Sequence, residues 1–115
     1  MGDIIALDAQ ISFWYAKYII KGLFSKGEDV LATSAEYSYL YAKDILKGRF
    51  LKGEDAISKS NVYSFYYAKD VLNDRFKKRE RVIIKDKYYL DEYVKFLKKI
   101  GKLDEFLNDY PEINL

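Results

Sequence analysis

Two acidic pairs are the first candidates in this chain for catalytic or cation-binding side chains. Glu28-Asp29 and Glu54-Asp55 each follow a glycine and stand 26 residues apart. Paired carboxylates can share acid and base roles or bind a cation. Neighbours in sequence do not face each other on a helix, however, and acidic side chains stabilise the first turn because free N–H groups and the dipole favour negative charge. We therefore interpret both pairs as helix starts and expect no metal ion there.

The sequence offers few residues for other kinds of catalysis. The chain contains no histidine and no cysteine, which removes the commonest general base, the thiol nucleophile and thiolate metal ligands. Tyr39 and Lys43 have the Tyr-x-x-x-Lys spacing of short-chain dehydrogenases, but no Gly-rich dinucleotide fingerprint and no strand pattern accompany it. We predict that the chain is not an enzyme and takes no cofactor and no metal.

A binding surface is better supported by the residue pattern. A large apolar side chain recurs on the polar side of three predicted helices, next to a recurring lysine. The candidate partner-binding residues are Trp14, Lys17, Leu40, Lys43, Tyr66 and Lys69. Evenly spaced lysines suit an acidic protein partner or a polymer such as RNA. Two other interpretations stay open: the short helix of the next unit covers the apolar position, and the lysines form a solvated face offset by acids such as Asp44 and Asp70.

These candidates lie in a repeat. Tyr-Ala-Lys occurs at 15–17, 41–43 and 67–69, and the register extends to units 3–28, 29–54 and 55–80. The first and second units have identical residues at 14 of 26 positions, and the second and third units at 13. Residues 81–115 predict a degenerate unit and a cap, because the terminal units of an array meet water on one side. At 115 residues the chain is expected to be a single domain.

Each unit predicts a short helix, a tight bend, a helix of about 13 residues and a loop with Phe and Gly. The long helices are expected at 35–47, 61–73 and 88–99, with Ser34, Ser60 and Asp86 as N-caps and Gly48 and Gly101 as stops. A final short helix is expected at about 102–109.

The apolar faces of these helices indicate how the units pack. Small pairs such as Ser38 and Ala42 predict a seam between successive long helices, and the recurring tyrosines predict core positions whose hydroxyls reach a partner. We predict an all-α, solenoid-like array of short helix–long helix repeats with a C-terminal helical cap. Ile4, Ile5 and Ile11 have no preceding unit, which predicts a homodimer through the N-terminal unit.

The run Tyr-Leu-Tyr-Ala-Lys-Asp-Ile-Leu-Lys-Gly-Arg-Phe at 39–50, followed by Lys-Gly-Glu-Asp-Ala-Ile at 52–57, resembles tandem repeats of uncharacterised bacterial and bacteriophage proteins. Those repeats often read Tyr-Ala-Lys-Asp-Val-Leu-Lys-Gly-Arg-Phe-Pro-Glu-Gly-Glu, and the likeness covers residues 3–80. This chain departs from the pattern at Leu51 and Lys52. The resemblance implies a repeat family of phage or mobile-element origin and carries no catalytic residue.

We expect this chain to be a non-enzymatic protein-interaction module. In a phage setting, such a module would act by inhibiting a host factor. RNA binding along the lysine ladder is the alternative, although a net charge of +2 implies no strong global attraction to nucleic acid. The N-terminus lacks the pattern of a signal peptide, and no apolar run approaches the ~20 residues that span a bilayer. The expected location is the cytoplasm of a bacterial or phage-infected host cell, with no membrane partner.

Overall fold

The computed structural model describes residues 8–114, and this part of the chain consists of helices and loops without a β-strand. The prediction of an all-α chain is confirmed for these residues. The α-helices are α1 (Ala9–Trp14), α2 (Glu28–Leu31), α3 (Ala35–Leu40), α4 (Glu54–Ile57), α5 (Asn61–Tyr66), α6 (Lys77–Ile83), α7 (Lys87–Ile100) and α8 (Leu103–Asp109). Ile4 and Ile5, which were expected to contribute to a homodimer, lie outside the described residues.

Three of these helices widen halfway along their length. Without a break, α1, α3 and α5 continue as the π-helical segments Tyr15–Ile20, Tyr41–Leu46 and Tyr67–Leu72. We call these three composite helices and α7 the long helices. Their starts follow the sequence signals, because the side chains of Ser34, Ser60 and Asp86 accept backbone N–H groups three residues on, at 3.1–3.2 Å. The widening itself has no signal in the sequence.

The second and third long helices end one residue earlier than expected, at Leu46 and Leu72. The left-handed residue that closes the second copy is Lys47, with φ 55°, and Gly48 does not have a positive φ. The carbonyl of Ala42 accepts from the N–H groups of both Lys47 and Gly48, five and six residues on. Assigning the stop to Gly48 was therefore wrong, because the wide last turn shifts the reversal onto the lysine. Gly101 is left-handed, as expected, at the end of α7.

A buried tyrosine joins each of the last three long helices to the copy before it. The Tyr67 hydroxyl donates to Glu54 Oε2 at 2.7 Å and accepts from the Phe50 N–H at 2.9 Å. The same two bonds link Tyr41 to the preceding copy's Glu28 and Phe24, and Tyr93 to Glu80 and Phe76. We call this arrangement the tyrosine clamp. It satisfies the tyrosine hydroxyl, a carboxylate and a loop N–H together, which a buried polar cluster requires.

An arginine completes the clamp in the second and third copies. Arg49 donates two hydrogen bonds to Glu54 at 2.8 and 2.9 Å, and Arg75 does the same to Glu80. Paired, parallel N–H···O bonds are the strongest way to hold a carboxylate. Burial alone raises the pKa of Glu54, but the bonds from Arg49 and Tyr67 outweigh burial and hold that pKa below its ordinary value. Glu54 therefore stays ionised although it is buried.

Small residues allow a second close approach. Ser38 is fully buried and donates to the Leu31 carbonyl at 2.8 Å. A Cβ added to Gly53 would lie 2.6 Å from Ser38 Cβ and also 2.6 Å from the Phe50 ring. The small serine thus admits the loop and short helix of the next copy. We predicted a seam between successive long helices at this position, and for Ser38 the closest partners are instead short-helix elements.

The helix α8 closes the C-terminal end of the described chain. Phe106 is fully buried and its ring lies edge-on to Tyr93, with centroids 5.4 Å apart. Arg75 reaches from the third copy to Asp109 at 2.7 Å and lies over the Phe106 ring. The residues Leu103–Asp109 therefore cover one face of the last long helix. The described part is elongated, with extents of 53 × 21 × 19 Å.

Candidate interaction surface

The six candidate partner-binding residues occupy one position pair on three successive long helices. The apolar member of each pair ends the α-helical half, and the lysine follows three residues later, on the same face. Trp14 is 51% exposed and Tyr66 is 39% exposed, whereas Leu40 is half-buried and packs against the core. The lysines Lys17, Lys43 and Lys69 are all exposed. We call this set the lysine–aromatic stripe.

The unequal exposure of the stripe has a structural cause. The Tyr66 ring lies 5.8 Å from the ring of Tyr39, which belongs to the preceding long helix. Tyr39 also lies 5.8 Å from Tyr63. The partial cover of Tyr66 thus includes the preceding long helix, whereas only the next short helix had been considered as a cover. No described copy precedes Trp14, so its side chain is the most exposed of the three.

Each stripe lysine lies over an aromatic ring one turn earlier on its own helix. The Nζ atoms of Lys17, Lys43 and Lys69 lie 5.5–5.9 Å from the ring centroids of Phe13, Tyr39 and Phe65, respectively. A cation over a ring face is attracted by about 0.5–1 kcal/mol at an exposed site. The rings beneath are buried. The stripe therefore presents positioned ammonium groups, and the rings below them offer no open face.

Two aspartates offset part of this positive charge. Asp44 Oδ2 lies 3.4 Å from Lys17 Nζ, and Asp44 Oδ1 lies 4.0 Å from Lys43 Nζ. In the next copy, Asp70 accepts a hydrogen bond from the Tyr39 hydroxyl at 2.5 Å. Burial, and then this bond, raise the pKa of Tyr39 well above its ordinary value. The hydroxyl therefore remains a donor, and Asp70 is held between helices.

The structure brings only some of the stripe residues together. Lys17 and Lys43 share Asp44 at the first junction of long helices. A groove at that junction is lined by Lys17, Lys21, Asp44, Ile45 and Lys47. Lys69 belongs to a different groove, formed with α7. Trp14 and Tyr66 are not in contact with each other, so the stripe is an extended surface and not a single pocket.

Sequence reasoning missed the groove formed with α7. Its charged residues include Lys95 and Lys99, which were assigned to the degenerate unit, and its floor includes Phe96. The signal that could have found it is a break in the register. Phe96 stands where the second and third copies have Asp44 and Asp70.

The first copy carries an exposed apolar face. Ile19 is 66% exposed, whereas Leu97, at the same register position of the last copy, is fully buried. Trp14, Tyr18 and Leu23 are exposed on the same unit. Tyr15 occupies the clamp position, but its hydroxyl forms no hydrogen bond with any residue of 8–114. Ile45 and Val71, at the register position of Ile19 in the second and third copies, are partly buried and pack against the core.

Within residues 8–114, no group of three or more metal-ligating side chains could hold a metal ion. None of the described helices is both long and apolar enough to cross a bilayer. In comparisons with known proteins, no family model, no curated protein and no solved structure matches the chain. The likeness to bacterial and phage tandem repeats therefore stays a prediction.

Proposed function

We propose that this chain is a non-enzymatic protein-interaction module built as a solenoid-like array of the units 3–28, 29–54 and 55–80, with residues 81–115 as a degenerate unit and cap. The partner binds along the exposed side of the long helices, at the lysine–aromatic stripe. Support for the array comes from the tyrosine clamp, which recurs with the same two hydrogen bonds at three junctions 26 residues apart. Repeats of this kind stabilise one another because no unit buries its apolar face alone.

The observation that carries the binding proposal is the fixed position of each stripe lysine over a buried ring. A lysine held in place loses less side-chain entropy when it pairs with a partner carboxylate, so it contributes more to affinity than a free one. Exposed Trp14 and Tyr66 add the aromatic anchors that dominate protein interfaces. Together they favour an acidic protein partner with apolar side chains.

RNA is disfavoured by the same geometry. Binding of single-stranded nucleic acid relies on open aromatic faces on which bases stack. The rings beneath the lysines are buried, so Trp14 and Tyr66 are the only stripe members with exposed rings, and Asp44 and Asp70 reduce the positive charge that a nucleic acid needs. RNA binding remains an outcome of the test below, where it predicts an affinity that falls steeply with salt.

Quantitative capture from a bacterial lysate, followed by cross-linking, tests the proposal. The wild-type chain is compared with the Trp14→Ala plus Tyr66→Ala double variant. Two exposed, large apolar residues off the stripe give the matched control, Leu51→Ala plus Val82→Ala. We expect the affinity of the stripe variant for the partner to fall about 30-fold or more, since even one aromatic anchor contributes about 2 kcal/mol.

Retention of the partner by the stripe variant at the wild-type level would defeat the site assignment. Capture of RNA alone, released by moderate salt, would replace the protein-binding proposal with the alternative. By analogy with the bacterial and phage repeats that this chain resembles, the proposed target is a host factor in the cytoplasm.

The exposed apolar face of the first copy supports the predicted homodimer, which is a second, separate proposal. Contiguous exposed apolar surface marks interaction sites. We expect concentration-dependent dimerisation in sedimentation experiments, and we expect Ile19→Lys to prevent it because a charge would be buried at the contact. A wild-type chain that stays monomeric at all concentrations contradicts this prediction.

A further inference from the structure

The groove between the third long helix and α7 differs from the other junctions in its charge. It has a volume of about 310 Å³ and opens on the same side as the stripe. Its cations are Lys69, Lys95 and Lys99, and its floor includes the rings of Phe65 and Phe96.

The difference arises from one substitution in the register. At the first junction, Asp44 faces Lys17 of the preceding copy at 3.4 Å. The equivalent residue at the third junction is Phe96, so no carboxylate of that position faces Lys69. The change removes a negative charge and supplies an apolar floor.

The remaining ions leave the groove positive. Lys69 and Lys99 form no ion pair with a residue of the described chain, and Lys95 pairs only with Glu92 of its own helix, at 3.5 Å. Three ammonium groups and one carboxylate line the concavity, which leaves two positive charges uncompensated. Lys69 Nζ is held 5.5 Å above the Phe65 ring. A ligand here must therefore be acidic and must also cover an apolar floor.

We propose that this groove binds an acidic peptide segment of a partner protein, with one apolar side chain flanked by carboxylates. The carboxylates pair with Lys69, Lys95 and Lys99, and the apolar side chain covers the floor between Phe65 and Phe96. This inference rests on the proposed protein-interaction function and names the chemistry of the segment that the partner presents.

The floor favours a peptide over a nucleotide. Phe65 and Phe96 are each only 7% exposed, so neither ring presents a face on which a base could stack. The volume lies at the lower limit of small-molecule sites and suits a single aliphatic side chain. Burial of such a side chain is favourable by about 25 cal/mol per Å² of apolar surface removed from water.

Fluorescence anisotropy with a defined probe tests the groove. The probe is a fluorescein-labelled Glu-Glu-Leu-Glu-Glu peptide, and Glu-Glu-Ser-Glu-Glu tests the apolar contact. Labelled oligouridylate is the third probe. The groove variant is Lys69→Gln plus Lys99→Gln, and Lys21→Gln plus Lys47→Gln, two lysines outside the stripe, is the matched control in the first groove, where Asp44 already compensates charge.

We expect the groove variant to weaken binding of the leucine peptide about fivefold to tenfold, because two exposed ion pairs of up to about 1 kcal/mol each are lost. The control variant should change affinity less than twofold, and the serine peptide should bind several-fold more weakly than the leucine peptide. Equal affinity of the two peptides would overturn the apolar contact, and equal loss in both lysine variants would overturn the assignment to this groove. Tighter, Lys69-dependent binding of oligouridylate would overturn the peptide as the occupant.

A gain-of-charge variant gives an independent test. Phe96→Asp restores the residue type of the second and third copies, and we expect the new carboxylate to pair with Lys69 and abolish peptide binding. Circular dichroism establishes whether this variant folds. If it does not fold, the lysine variants decide whether the groove binds the acidic peptide. Loss of the captured partner from the Trp14→Ala plus Tyr66→Ala variant but not from the groove variant would overturn the groove alone and leave the interaction surface supported.

Discussion

The tyrosine clamp makes a strong prediction about how the copies are held together. In the Tyr67→Phe variant, Glu54 loses the hydroxyl that donates to it at 2.7 Å, and the Phe50 N–H loses its acceptor at 2.9 Å. Tyr67 is fully buried, so water does not replace the hydroxyl without rearrangement. The ring itself is retained, and its edge-on contact with Phe76 at 5.1 Å is unchanged.

The size of the effect follows from these two bonds. A hydrogen bond to a charged group contributes about 1.5–3 kcal/mol, and an unsatisfied buried N–H costs about 1–3 kcal/mol. We therefore expect Tyr67→Phe to lower the free energy of unfolding by about 3 kcal/mol or more, a large part of the ~5–15 kcal/mol of a typical domain. For a chain of this length the melting temperature should fall by roughly 10 °C.

Urea denaturation followed by circular dichroism measures this change, and the repeat supplies its control. Tyr15 holds the same position in the first copy, but its hydroxyl has no hydrogen-bond partner among residues 8–114. Tyr15→Phe should therefore change the free energy of unfolding by less than about 0.5 kcal/mol. Equal effects of the two substitutions, or a negligible effect of Tyr67→Phe, would refute the clamp as a source of stability.

The clamp also predicts a pH dependence. The pKa of Glu54 is lowered in the folded chain, because the bonds from Arg49 and Tyr67 outweigh the burial that raises it. Its contribution to stability is thus present above its ordinary pKa of 4.5 and is lost as the pH falls through the lower folded value. The difference between wild type and Tyr67→Phe should consequently shrink as the pH is lowered below 4.5.

Three further changes test other features of the fold. Gly53→Ala should destabilise the chain by about 1–3 kcal/mol, because the added Cβ overpacks against Ser38. Gly48→Ala should not destabilise it, because the nearest atom to a Cβ added there lies 4.0 Å away. Thermal melts compare the two variants. Lys47→Gly should stabilise the chain by about 0.5–1 kcal/mol in urea denaturation, because glycine adopts φ 55° without steric cost. Burial, and then the bond to Glu28, raise the pKa of Tyr41 from 10.0 to about 12. The stability that this tyrosine contributes should be present below pH 10 and lost as the pH rises through about 12, which tyrosinate absorbance and circular dichroism can follow together.

Much of the helical layout could be predicted from local signals. Ser34, Ser60 and Asp86 cap helices where expected, and Gly101 ends α7. These features depend on a side chain and the backbone within three or four residues, so the sequence contains the whole interaction. The π-helical halves and the left-handed Lys47 could not be predicted, because no capping residue, glycine or proline marks the change within the helix and the glycine next to Lys47 favours a later stop.

The tyrosine clamp could likewise be predicted only in part from the sequence. The recurrence of Tyr41, Tyr67 and Tyr93 predicted buried tyrosines with bonded hydroxyls, and all three are buried and bonded. Glu54 was interpreted as a helix start, and it does lie in a first turn. Its pairing with Tyr67, 13 residues later, depends on how one copy stacks on the next.

For the candidate site, helical spacing alone requires that the lysines and the large apolar residues share one face of the first three long helices. The tertiary fold sets which of them stay exposed, because Tyr39 of the preceding long helix partly covers Tyr66 and Leu40 packs against the core, whereas Trp14 stays open. It also decided that Phe96 meets Lys69 across a groove. Charge compensation and burial depend on which residues of the neighbouring copy lie opposite. The sequence of one copy does not specify the distances to those residues.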